Sequence, residues 1–264
     1  MKKGLLFILC FGLVLQGVSQ ANETIRFVNA DEVEEGDGAK VKRLIPQRKL
    51  KHFDPYVLFD DFTIHPPSGF PDHFHSGFEV ITYLTAGKLE HKDSKGNQVV
   101  LEAGDVQCFT TGSGVVHSEM PQGKEDVRGF QIWINLPKHD KLIAPAYEVV
   151  RAKSIGTTNI NSDVSIRTIV GQGTTVRTKA EILIRQITIK AGAKYKLTLP
   201  VGYNGFVYVM EGKATVEDKI CIPGNGVLFS NEALEVNASE DLLLLLVSGL
   251  PLGEPIHRKG SIVK

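Results

Sequence analysis

The sequence predicts an all-β chain built as two related barrels or sandwiches in tandem. Three observations carry that reading. Short segments rich in Val, Ile, Leu and Phe recur between turns marked by Gly, Asp and Pro. No sustained helical period interrupts them. A strand, glycine turn, strand, glycine turn pattern also occurs twice. In the first half it is Thr82-Tyr83-Leu84-Thr85-Ala86-Gly87-Lys88 with Gly104-Asp105, and in the second Val207-Tyr208-Val209-Met210-Glu211-Gly212-Lys213 with Gly224-Asn225.

Taken in order, residues 1–21 read as a secretory signal peptide. Lys2-Lys3 precede the apolar run Gly4 to Leu15, and Ser19-Gln20-Ala21 supply small residues for cleavage. The apolar run is shorter than the ~20 residues of a spanning helix. Export to a periplasm or the medium is therefore expected, with no stable membrane span after cleavage. Residues 22–145 form the first expected barrel, with strands such as Phe78 to Leu84, Val99-Val100-Leu101 and Gln131 to Asn135. The polar stretch from Pro137 to Pro145 is the expected crossing, and 146–264 the second barrel, with strands at Ile182 to Ile189 and Phe206 to Met210. Leu242 to Val247, too short to span a bilayer, reads as a buried strand.

Composition narrows the function classes. Thirty basic residues balance thirty acidic ones, which gives no footprint for nucleic acid. Past the leader only Cys108 and Cys221 remain, one in each half. They read as two buried free thiols, an inter-domain disulfide being the alternative in an oxidising compartment.

The residues that point to chemistry are His73-Phe74-His75 and His117-Ser118-Glu119. In a strand, i and i+2 face the same way, so the two pairs on neighbouring strands can aim three imidazoles and a carboxylate into one cavity. On spacing alone, His73 and His75 equally fit a surface turn, with Glu119 a solvated acid beside Met120-Pro121. His52, His65 and His139, in polar or proline-rich loops, receive no role. Trp133 reads as core, and Gly36-Asp37-Gly38 and Gly202 to Gly205 as turns. Transferring the ligand spacings through the repeat lands on Thr198, Pro200, Asn237 and Ser239. That is no transition-metal set, so the second barrel is expected to be metal-free.

The pattern H-x-H-x3-E followed by G-D-x(n)-G-x-G-x2-H resembles the two motifs of cupins. The stretches FPDHFHSGFE, AGKLEHKDS, GDVQCFTTGSGVVHSEMP and GFQIWINLP resemble the pirin family in particular. The resemblance begins near Gly36 and continues in weaker form to Ile256. It implies two cupin domains, barrels of the jelly-roll type, with one divalent transition metal in the first. Fe(II) leads, and Mn, Ni, Cu and Zn are the alternatives. Carried onto this sequence, the ligands fall on His73, His75, His117 and Glu119. Glu79 is placed beside the ligands rather than on the ion, and His91 either orients a ligand by hydrogen bonding or is a polar hairpin residue.

The resemblance further implies a dioxygenase acting with dioxygen on quercetin-like flavonols or related enolic compounds, with Glu119 doubling as base. The rival implication is a non-catalytic iron protein with a redox-sensing or regulatory role. Phe74, Ser76 and Cys108 depart from the proline, arginine and tryptophan usual in relatives, which leaves substrate and partner less constrained than the ligand set.

Overall fold

The computed structural model describes residues 25–230 and 233–264; the expected signal peptide lies outside them. The described residues form strands and turns with two short 3-10 segments, Lys138–Asp140 and Ala152–Ser154. None of their helices is long and apolar enough to cross a membrane. The all-β expectation therefore holds, as does the division into two barrels.

Each barrel is a seven-stranded sheet closed over a four-stranded one. In the first, the large sheet runs Ala146–Val150, Val106–Thr110, Phe78–Ala86, Val127–Asn135, Tyr56–Ile64, Ala39–Ile45, Asp31–Glu35. The small sheet runs Phe70–His75, Val115–Pro121, Lys88–Asp93, Gln98–Glu102. The second barrel repeats this order. Its large sheet runs from Ile25–Asn29 and Asn225–Ser230 through Asn204–Glu211 and Leu242–Gly249 to Thr157–Asn159, and its small sheet is Lys194–Thr198, Ala233–Ala238, Ala214–Val216, Lys219–Cys221. The repeat at Gly87 and Gly212 thus marks equivalent hairpins.

The chain crosses the expected boundary at Ala146 in both directions. Ile25–Asn29 pairs with Asn225–Ser230 of the second barrel, and Ala146–Val150 pairs with Val106–Thr110 of the first. Each barrel therefore takes an edge strand from the other half of the sequence, covering an edge that would otherwise present unpaired backbone groups.

Strand alternation organises everything that follows. Along Phe78–Ala86, Phe78, Val80 and Leu84 enter the first barrel while Ile81 and Tyr83 face the second. The two large sheets pack on these outer faces. Phe59 is fully buried there, its ring 5.0 Å from Phe206, 5.0 Å from Tyr208 and 5.7 Å from Phe130. Two polar ties cross the same seam, Tyr208 donating to Asp61 at 2.8 Å and Tyr83 to Gln186 at 2.7 Å. Cys108 lies in this seam and Cys221 in the second barrel, both buried and unpaired.

The chain finally returns to the first barrel. Ser76 exchanges backbone hydrogen bonds with Ser261 and Val263, and Val263 is buried among Val57, Phe78 and Trp133. Gly77, at φ +86°, makes this possible, because a Cβ there would stand 1.9 Å from the Val263 carbonyl oxygen.

Truncating the centre of the seam tests its weight. Phe59→Ala is expected to cost about 3–5 kcal/mol in denaturant unfolding. A loss under about 1 kcal/mol would show that the barrels do not lean on each other here.

Candidate metal centre

The site is assembled by the small sheet of the first barrel. Phe70–His75 pairs with Val115–Pro121 so that His117 lies opposite His73, and Val115–Pro121 pairs with Lys88–Asp93 so that Glu119 lies opposite His91. A register irregularity between His117 and Glu119 marks a local bulge. The imidazole centroids of His73, His75 and His117 are 4.3 to 4.8 Å apart.

Donor atoms of His73, His75 and His117 lie within 4.8 Å of one another, as do those of His91, His117 and Glu119. The four expected ligands are thus brought together as two overlapping triplets that share His117, with Glu119 on the His91 side. His73 Nε2 and His75 Nε2 stand 3.1 Å apart. Nδ1 of His73 lies 2.7 Å from the Pro71 carbonyl oxygen. Donation there leaves the Nε2 lone pair free for an ion. Both ring nitrogens of buried His117 lack a hydrogen-bond partner, and so do both of His91. Buried polar atoms without partners are costly, and a divalent cation among them would satisfy this donor set. The residues therefore fit a transition metal.

Burial keeps the His75 and His117 imidazoles in the neutral, ligating form. It pushes the His75 pKa down to about 3, helped by His73, and holds His117 well below the usual histidine range, helped by His75 and His73.

Glu119 is buried and braced by residues the motif reading missed. Gln107 and Thr82 donate to its Oε1, the latter at 3.3 Å, and Gln131 donates to Oε2 at 2.7 Å. Tyr147 in turn donates to Gln107 at 3.1 Å, and the Trp133 indole to Gln131 at 3.0 Å. The available signal was a polar residue at an inward position of an otherwise apolar strand, as in Phe78-Glu79-Val80-Ile81-Thr82, Val106-Gln107-Cys108 and Phe130-Gln131-Ile132.

One expectation needs correction. Glu79 is not beside the ligands. Strand parity turns it out of the barrel, where it accepts from Thr110 at 2.9 Å and from the Lys179 backbone N–H of the second half at 2.8 Å. The cleft above the histidines is lined by His73, His75 and Gln131, and not by Glu119. His91 makes no hydrogen bond to a ligand; its ring stacks on Tyr147 at 4.4 Å, with Nε2 3.5 Å from Asp93.

That cleft has a volume of about 540 Å³. Trp133 is buried as expected for a core residue, yet it also walls the cleft, edge-on to His75 at 4.7 Å and stacked on Phe78 at 4.3 Å. Leu58, Phe62 and Phe70 add apolar wall, and Arg43, Asp60 and Arg258 add charge.

The second barrel carries hydrocarbon at the corresponding registers. Four residues past Gly212, Val216 pairs with Val236, where His91 pairs with Glu119 in the first barrel. Leu234 pairs with Leu197, where His117 pairs with His73. Register thus replaces Thr198, Asn237 and Ser239 by Leu197, Leu234 and Val236, because the connecting loops differ in length between barrels. All three are buried in its core.

Fold and site together define a two-barrel cupin with, among the described residues, one cluster of candidate metal ligands, in its first barrel. Two family models match the sequence, Pirin over residues 38–134 and the Pirin C-terminal cupin domain over 184–264. Pirin-like protein 2 of Arabidopsis thaliana is 35% identical over 254 residues, covering 90% of this chain and 78% of that one. Pirin of Homo sapiens is 32% identical over 244 residues, covering 88% and 84%. A crystal structure of quercetin 2,3-dioxygenase from Acinetobacter baumannii superposes with a TM-score of 0.82 at 28% identity, covering 90% of each chain. A bacterial pirin from Escherichia coli, solved in complex with nickel(II), shares the fold at 20% identity and a TM-score of 0.71, covering 86% of this chain and 99% of that one. The chain belongs to the pirin family.

The lowered histidine pKa values give a pH signature for metal-free protein. His75 stays neutral in the fold down to about pH 3, whereas in the unfolded chain it protonates below ~6.5. The unfolded state then binds more protons, so stability falls as pH drops from ~6.5 towards 3. Thermal melts of metal-free protein between these limits should show a shallower decline for His75→Phe than for wild type; equal slopes would contradict the assignment.

Proposed function

We propose that this pirin is an exported metal-dependent dioxygenase acting on flavonols or related enolic compounds at the first barrel. The observation that carries the reading is the convergence of His73, His75 and His117 beneath an aromatic-walled cleft of about 540 Å³, a size suited to a small planar molecule. The likeness to a quercetin 2,3-dioxygenase supports the substrate class, and the basic, apolar leader supports export.

His73, His75 and His117 would hold the ion, with Glu119 joining from the His117 side. A divalent transition metal bound there, iron(II) in the first place, would supply a Lewis acid for an enolate oxygen and a centre for activating dioxygen. The chain's own residues do the rest. Gln131 and Gln107 hold the Glu119 carboxylate, whose Oε2 accepts one donor and keeps a lone pair for ligation. That bracing suits an anionic ligand. Trp133 and Phe70 present apolar surface to a planar ring, and the buried setting of His75 and His117 excludes water behind it.

Metal analysis of untagged protein should find close to one transition-metal ion per chain, and the His73→Ala/His117→Ala double variant should lose it. Full retention would contradict the site. Oxygen uptake with quercetin, under defined Fe(II), Mn, Ni or Cu loading, should proceed in at least one form. A metal-replete protein that consumes no oxygen in any form with any flavonol would favour the non-catalytic, redox-sensing or regulatory reading.

A further inference from the structure

Beside the metal cleft runs a second, larger groove of about 1060 Å³, formed where the C-terminal segment lies across the first barrel. Its ionisable lining is Lys51, His52, His257, Arg258, Lys259 and Lys264, and no Asp or Glu side chain lines it among the described residues. In a chain with equal numbers of acids and bases, this segregation of charge is a property of the fold. The groove and the cleft share Arg258 and Gly260, so they meet at Arg258.

Arg258 is fixed and electrostatically available. Its guanidinium lies 4.7 Å over the Trp133 ring. Nε donates to the Gly260 carbonyl at 2.9 Å and Nη1 to the Val57 carbonyl at 3.1 Å. Neutral carbonyls pin it and neither hydrogen bond is an ion pair, while Asp60 and Glu35 attract it through space. Both acids are hydrogen-bonded to Arg43 instead, Asp60 at 2.7 and 2.8 Å and Glu35 at 2.6 Å. Asp37 and Asp72 line the cleft but not the groove. An anion is therefore disfavoured on their side and favoured on the side of Arg258, whose planar fork matches a carboxylate.

We propose that, among enolic substrates, the site prefers planar hydroxyaromatic carboxylates, the hydroxyl end directed at the histidine cluster and the carboxylate received by Arg258 at the mouth of the basic groove. Arg258 is thus a specificity determinant. This rests on the first-barrel site as the reacting centre, but the charge preference itself needs no ion.

Calorimetric titration with 6-hydroxy-2-naphthoate and with its methyl ester, on metal-loaded and metal-free protein, tests it. The acid should bind roughly tenfold or more tightly than the ester, as expected for one charge-assisted hydrogen-bonded contact. Raising the ionic strength should weaken the acid and leave the ester unchanged. In Arg258→Gln the two ligands should become equivalent; Arg258→Lys should keep part of the preference and Lys259→Gln most of it. Equal affinities in wild type, an unchanged preference in Arg258→Gln, or no binding of either ligand would overturn the proposal. If the metal assignment alone is wrong, the preference survives in metal-free protein.

Discussion

The two-residue alternation of the strands in the first large sheet is the constraint on which the rest depends. Along Phe78–Ala86, one parity sends Phe78, Val80 and Thr82 into the barrel, and the other sends Glu79, Ile81 and Tyr83 towards the second domain. The neighbouring strands obey the same division. Gln107 and Phe109 point in, Val106 and Cys108 out; Gln131 and Trp133 point in, Phe130 and Ile132 out. A single sheet thus braces the candidate metal centre with one face and welds the domains with the other. A one-residue slip would exchange the two surfaces, placing glutamines in the seam and aromatic rings around Glu119.

The two barrels show what separates a site from a scaffold. They share strand order, hairpins and pairing, and differ in what fills the space under the small sheet. Leu197, Leu234, Val216 and Val236 close the second barrel with apolar contacts that need no partner. Their counterparts in the first are imidazoles and a carboxylate, whose burial is costly unless something satisfies them. Glu119 is satisfied by Gln107, Gln131 and Thr82, whereas His117 has no protein partner at either nitrogen. A bound cation is the simplest way for the first barrel to recover that cost.

Much of this was legible in the sequence because it is local. The His-x-His and His-x-Glu spacings, the glycine turns and the repeated hairpin all depend on periodicity within a few residues. What could not be read depends on distant segments meeting. Glu79 looked like part of the motif, and only the position of Lys179 shows why it faces the other domain. Strand exchange at Ile25–Asn29 and Ala146–Val150 breaks the rule that a barrel is a contiguous stretch. Arg258 carries no motif at all. It reaches Trp133 because Ser76 and Gly77 accept the returning C-terminal segment, so the second half of the chain supplies a wall for a site in the first.

One ion held by the histidine cluster of the first barrel, with hydrocarbon at the matching position of the second, would make the two barrels distinguishable by metal alone. Anomalous diffraction from crystals of metal-replete protein, collected at the absorption edge of the bound metal, locates that ion directly. One peak per chain is expected, among His73, His75 and His117 and within reach of Glu119. A peak beside Leu234 and Val236, or none near His117, would contradict it.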